Sequence, residues 1–267
     1  MSKLKIFQID SFTNQPFRGN PAAVCLSDHF PPDQWMQSMA AEMNLSETAF
    51  VCPADAGYQL RWFTPTIEVD LCGHATLAAA HVLWETGTLT PTEIASFQTL
   101  SGNLSAEREG DKIILDFPSE PATSQTAPAE LLNSVNVAPL FVGKNRMDYL
   151  IEVGSIEDLT QLSVDYTQLK KVAARGLIVT AQSQTNDFDF WSRFFCPAVG
   201  VNEDPVTGSA HCCLAPYWAA KLGRNELRGF QASERGGSID VQLKQDRVRL
   251  GGIATTIFSG ELHVPLP

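Results

Sequence analysis

The chain has 267 residues, 44% of them hydrophobic and 18% charged, enough apolar material for one large domain or two of ordinary size. Its formal charge is −11, with 19 basic residues scattered along the chain, which excludes the basic footprint of a nucleic-acid binder and disfavours an anionic membrane surface. The N-terminus reads as a strand and lacks the apolar core of a signal peptide, and no apolar run reaches the ~20 residues that span a bilayer; the expected location is cytoplasmic.

In chain order, residues 4–9 alternate as a strand, and the turn signal Gly19-Asn20-Pro21 precedes a second apolar strand over 22–26. A helix follows: Asp33 is placed to cap it, Trp35, Met36, Met39, Ala40 and Met43 recur at helical spacing, and Asn44 stops it. Glu47 then stands at a helix-to-strand joint, directly before the apolar run Ala49-Phe50-Val51. It is either a solvated loop glutamate or a proton carrier taken into the core, and its position alone leaves both open. Two strands lead to Cys72-Gly73-His74, which opens a helix apolar almost all round, ended by Gly87. Strand and hairpin signals continue to residue 118, and the Pro/Ser/Thr-rich stretch 118–130 is the best linker.

Beyond it come strands, a helical stretch, and more strands up to Asp204-Pro-Val-Thr-Gly208-Ser209. This glycine turn again opens a largely apolar helix, ended by Gly223, and strands close the chain. Gly73-His74-Ala75 can be laid on Gly208-Ser209-Ala210 about half a chain length later. The pattern predicts an α+β fold of two pseudo-symmetric lobes, residues 1–118 and 119–267, each a curled, mostly antiparallel sheet around a buried helix; the last strand is free to return to the first lobe. A cleft between lobes is a favoured ligand site. Both helix starts present unpaired N–H groups at the positive end of a dipole, and Gly73 and Gly208 would let a ligand approach them. Together they would hold a carboxylate without any arginine. His74 and Ser209 stand at the same openings, against the alternatives of a satisfied buried histidine and a helix cap. Asp204 is either the start of the turn or an acceptor facing a substrate amine or hydroxyl.

The six cysteines form no CxxC pair and read as small buried hydrophobes. A set built from Cys72, His74, His211 and Cys212 fits no standard zinc spacing. There is no P-loop or Rossmann signature, so neither metal nor cofactor is expected.

"FRGNPAAV", "NLSETAF", "RWFTPTIEVDLCGHATLAAAH" and "GVNEDPVTGSAH", in this order, resemble the motifs of the PhzF-like family, the phenazine-biosynthesis-type isomerases, from residue 3 to beyond residue 220. That family shares the fold of diaminopimelate epimerase. The resemblance implies a cofactor-independent isomerase that shifts a proton on a small carboxylate-bearing metabolite. Glu47 falls on the family's acid/base glutamate. His74, Asp204 and Ser209 fall on its binding residues, with the amides of Gly73 and Gly208; His74 and Asp204 could also tune Glu47. A homodimer is implied as well. The two-cysteine racemase pattern is disfavoured, because the second glycine turn carries no cysteine and Cys212 lies inside the helix. An amino-acid epimerase or racemase, and a non-catalytic small-molecule-binding or scaffold protein, are the rival readings.

Overall fold

A computed structural model describes residues 4–264. The chain forms two compact units: one takes the chain up to Phe117 and again from Leu250 onward, the other is Pro118–Arg249.

In the first unit the elements run β1 (Lys5–Ser11), β2 (Asn20–Leu26), α1 (Asp33–Met43), β3 (Glu47–Pro53), β4 (Tyr58–Phe63), the short β5 (Glu68–Val69), α2 (Gly73–Glu85), β6 (Ala95–Thr99), β7 (Gly102–Glu109) and β8 (Lys112–Pro118). Helix α1 starts after Pro32, and Asp33 pairs with Arg61 at 2.7 Å instead of capping. Asn44, the stop read from the sequence, ends it in the left-handed conformation, its N–H bonded to Ala40. Helix α2 ends at Thr86 with Gly87 following at φ 70°, a conformation that glycine adopts without strain.

Strand β1 carries apolar residues on both faces, and Ile6, Phe7 and Ile9 are all buried. The reason is that this sheet is covered on both faces. Leu4, Ile6, Ala23, Cys25 and Phe50 pack with Met36, Met39 and Ala40 of α1. Side chains alternate along a strand, so Ala22 and Val24 of β2, and Ala49 and Val51 of β3, point the other way. That other face meets α2, which packs against β1, β2 and β3 and also touches β7. Residues His74 to Ala80 of α2 are all buried, as an all-round apolar helix requires. The same parity places Asn20 and Glu47, the first residues of β2 and β3, on the α2 face.

The second unit runs β9 (Thr123–Ser124), α3 (Ala129–Asn133), β10 (Phe141–Lys144), β11 (Asp148–Glu152), α4 (Ile156–Thr160), α5 (Tyr166–Leu169), β12 (Gly176–Gln182), β13 (Phe190–Phe195), α6 (Gly208–Leu222), β14 (Glu226–Gln231) and β15 (Gly237–Lys244). The linker stretch therefore begins at the unit boundary but contains β9 and reaches the first turn of α3. Helix α6 packs on β14 and β15. The three short helices help to close a second apolar core around Leu131, Leu159, Leu169, Leu177 and Phe195.

The chain ends with β16 (Arg247–Gly252) and β17 (Ala254–Glu261). Strand β17 pairs antiparallel with β1, so the tail that a single cut after residue 118 would leave in the second lobe belongs to the first unit.

Strand pairing makes the internal repeat concrete. From β17 through β1, β2, β3, β4 and β6 to β7 the successive pairings are antiparallel, antiparallel, parallel, antiparallel, parallel, antiparallel. From β9 through β10, β11, β12, β13 and β14 to β15 the same series recurs. In both, the buried helix follows the fifth strand of these series, α2 after β4 and its short partner β5, α6 after β13. Gly73 and Gly208 are the first residues of the two helices.

Candidate active site

The first unit brings together three of the residues that the sequence singles out. Strand β3 runs parallel to β2 with Glu47 opposite Ala22, and its parity turns the Glu47 side chain toward the start of α2. There the His74 Nε2 lies 3.0 Å from Glu47 Oε2. The ring is 5% exposed and the glutamate 18%. The facing oxygen is itself buried, so the carboxylate reaches solvent only through its other edge. The contact is short but poorly aligned for a hydrogen bond, as acid/base contacts often are before a substrate tightens them.

On the other edge of the ring, Asn20 Nδ2 lies 3.1 Å from Nδ1 and Cys72 Sγ lies 3.5 Å from the same nitrogen. The backbone of His74 is tied down as well, its carbonyl accepting from the Ser11 hydroxyl at 2.8 Å. Burial opposes a positive ring. Cys72 and then Glu47 favour it, and the balance raises the His74 pKa well above its ordinary value. Burial, reinforced by the Glu47 charge, pushes the Cys72 thiol up to about 11. A thiol held so firmly protonated is a poor nucleophile or base. Glu47, Cys72 and His74 are close enough to suggest a metal set. However, Cys72 approaches Nδ1 and Glu47 approaches Nε2, so the three donors do not converge on one point.

The second unit builds its helix start differently. Thr207 is the residue before α6, and neither it nor Cys72 before α2 makes a side-chain capping bond. The first-turn amides of both helices are therefore left for other acceptors. Ser209 is the second residue of α6 and not its cap. Its hydroxyl accepts from Arg175 Nη2 at 3.0 Å. Arg175 is gripped in turn by both oxygens of Asp148, a fully buried carboxylate. Asp204 lies in the turn before the helix, where Thr207 Oγ1 donates to its carboxylate. Gln231 locks that turn, giving Nε2 to the Asp204 carbonyl at 2.7 Å and taking the Thr207 amide at 2.8 Å.

Sequence reasoning missed Arg175 and Asp148, and it expected no arginine at the helix starts. Asp148 opens β11 and Arg175 immediately precedes β12, the strands that match β2 and β3 in the repeat. The signal was an arginine directly before an otherwise apolar strand, the counterpart of Glu47 opening β3. Asn20 lay within a quoted motif but was read only as a turn residue.

A family described as phenazine biosynthesis-like protein (PhzC-PhzF) matches residues 9–260. The chain belongs to this family. A protein from Halalkalibacterium halodurans described as an uncharacterized isomerase is 53% identical, over 98% of this chain and 99% of that protein. One of the same description from Pseudomonas aeruginosa is 48% identical over 98% of this chain and all of that protein. The crystal structure of a PhzF-family protein from Enterococcus faecalis superposes with a TM-score of 0.94 at 36% identity, covering 98% of this chain and all of that one. The α+β, epimerase-like architecture anticipated from the sequence is the fold of this PhzF family. Its enzyme class is isomerase.

Among the described residues, no helix is long and apolar enough to cross a membrane. All six cysteines are buried, and none forms a disulfide. Cys212 and Cys213, inside α6, are pushed up to about 12 by burial, far from the range of a two-cysteine racemase base.

Proposed function

We propose that this PhzF-family isomerase moves a proton on a small carboxylate-bearing metabolite without a cofactor, with Glu47 as general acid and base. The observation that carries the reading is the Glu47–His74 pair: a carboxylate with one buried oxygen 3.0 Å from a buried imidazole. A carboxyl group can both take and return a proton when its surroundings keep the two protonation states close in energy. The imidazole is the neighbouring group able to exchange a proton with it, its Nε2 3.0 Å from the carboxylate. His74 is thereby the partner of Glu47, and the amide of Gly73 opens the same helix start.

In the second unit, Asp204, Gly208 and Ser209 are proposed as substrate-binding groups. Arg175 supports that role for Ser209: an oxygen that accepts from a guanidinium keeps its own proton for donation to an anionic ligand. The homodimer belongs to the same proposal.

The test is incubation with a dihydro-hydroxyanthranilate in heavy water, following carbon-bound protons by NMR, with Glu47→Gln alongside. Conversion or exchange by the wild type that vanishes in the variant supports the reading. Exchange that persists in Glu47→Gln removes Glu47 as the proton carrier. Binding of carboxylate ligands with no exchange of any of them would favour a non-catalytic binding protein.

A further inference from the structure

Asn20 is fully buried on a strand whose other residues facing α2, Ala22 and Val24, are apolar. A carboxamide there is costly unless its polar atoms are matched. Its Nδ2 meets the Nδ1 edge of His74 at 3.1 Å, while Nε2 faces Glu47. We propose that Asn20 is a positioning residue for proton transfer, its carboxamide holding the Nδ1 edge of His74 in either protonation state so that Nε2 stays turned to Glu47. The inference rests on the reading of Glu47 and His74 as the proton-transfer pair.

The chemistry of the amide supports this. With Nδ2 toward the ring, Nδ1 must accept, so a neutral His74 carries its proton on Nε2, the side that faces Glu47. When the ring becomes an imidazolium, the added proton sits on Nδ1, because Nε2 already carries one, and Nδ1 must then donate. A half-turn of the carboxamide then presents Oδ1 in place of Nδ2. An amide is an uncharged side chain that offers a donor and an acceptor at nearly the same point; a leucine offers neither, and an aspartate only the acceptor. The titratable groups acting on the ring are Glu47 from β3 and Cys72 from the turn. The contribution from β1, Ser11, reaches only the His74 carbonyl.

The experiment is a pH titration of the His74 imidazole by 15N NMR in the full-length chain, its signals assigned by their loss in His74→Gln. Wild type, Asn20→Asp and Asn20→Leu are compared. Asn20→Asp, nearly isosteric, places a fixed acceptor at Nδ1 and is expected to raise the proton affinity of His74 by about tenfold or more. It also moves the neutral-form proton from Nε2 toward Nδ1. Asn20→Leu is expected to lower the affinity by a similar factor, and the pH profile of turnover should move with both.

A His74 titration in Asn20→Asp that superposes on wild type overturns the proposal, and this holds even if Asn20→Leu fails to fold. The readout is an equilibrium protonation that needs no substrate. Unchanged turnover in Glu47→Gln would overturn the acid/base reading of Glu47 while leaving the measured coupling of Asn20 to His74 intact.

Discussion

At the start of α2 the second residue is His74, reached by the Asn20 carboxamide on one ring edge and by the Glu47 carboxylate on the other. At the start of α6 the second residue is Ser209, reached by the Arg175 guanidinium, which Asp148 holds. The backbone plan is the same, a glycine opening an uncapped buried helix behind matching strands. The first start carries an imidazole whose pKa is raised above its ordinary value, a group that can change its charge. The second carries one that cannot, because a guanidinium gripped by a carboxylate stays charged. A repeated fold thus supplies two equivalent openings, and a few side chains at the strand starts set an imidazole against a carboxylate at one and a hydroxyl against a guanidinium at the other.

Several substitutions would break or sharpen this contrast. The largest effect is expected from Glu47→Gln, which keeps shape and hydrogen bonding and removes the titrating group. Turnover should fall by roughly 10²–10⁴-fold with little change in thermal stability. A variant that loses activity only because it unfolds would show a matching drop in melting temperature. At the other start, Arg175→Met leaves Asp148 buried without its cation, and chemical denaturation should register a loss of about 3–5 kcal/mol. Much of that loss should return in the double variant Arg175→Met with Asp148→Leu. If Arg175→Met is neutral by itself, the guanidinium is not what stabilises this helix start.

The histidines of the two helices provide a pH contrast. His211, the fourth residue of α6, is held neutral by burial, its pKa lowered from 6.5 to about 4 despite its contact with the Thr207 carbonyl. The unfolded chain therefore binds the proton that the folded chain refuses between those values, and stability falls as pH drops from 6.5 to 4. The wild type should lose about 3 kcal/mol more across that window than His211→Gln does. His74 has the opposite sign: its raised pKa makes a contribution that is present below its ordinary value and lost as pH rises through the folded one. Denaturation curves for His211→Gln and His74→Gln should diverge from wild type at opposite ends of the pH range, and parallel curves would erase the contrast.

The smallest effect is expected from Ser209→Ala. It removes one acceptor from Arg175 and should cost about 1 kcal/mol of stability, while weakening carboxylate ligands in a thermal-shift assay. A variant that binds them as tightly as wild type would take Ser209 out of the substrate site.

The elements were legible to the degree that they depend on local chemistry. The helical spacing of Trp35 to Met43, the stop at Asn44, the apolar run after Gly73 and the glycine after each buried helix all follow from periodicity and backbone preference within a few residues. The motif residues Glu47, His74, Asp204 and Ser209 were visible because their types are unusual next to apolar runs and because four motifs recur in a family order. Strand β1 carries apolar residues on both faces, which suits a strand that α1 and α2 cover from either side.

Which side chains meet was decided by the tertiary structure alone. Asn20 reaches His74 because β2 lies beside β3 on the α2 face, and Arg175 reaches Ser209 because the end of one loop meets a helix start far along the chain. Periodicity constrains direction within an element, but it says nothing about which distant element lies opposite. The sequence by itself determined the elements, the two glycine helix starts and the family. Only the tertiary structure decided that one start holds an imidazole against a carboxylate and the other a hydroxyl against a guanidinium, because those pairings arise from strand order and register, which no local preference encodes.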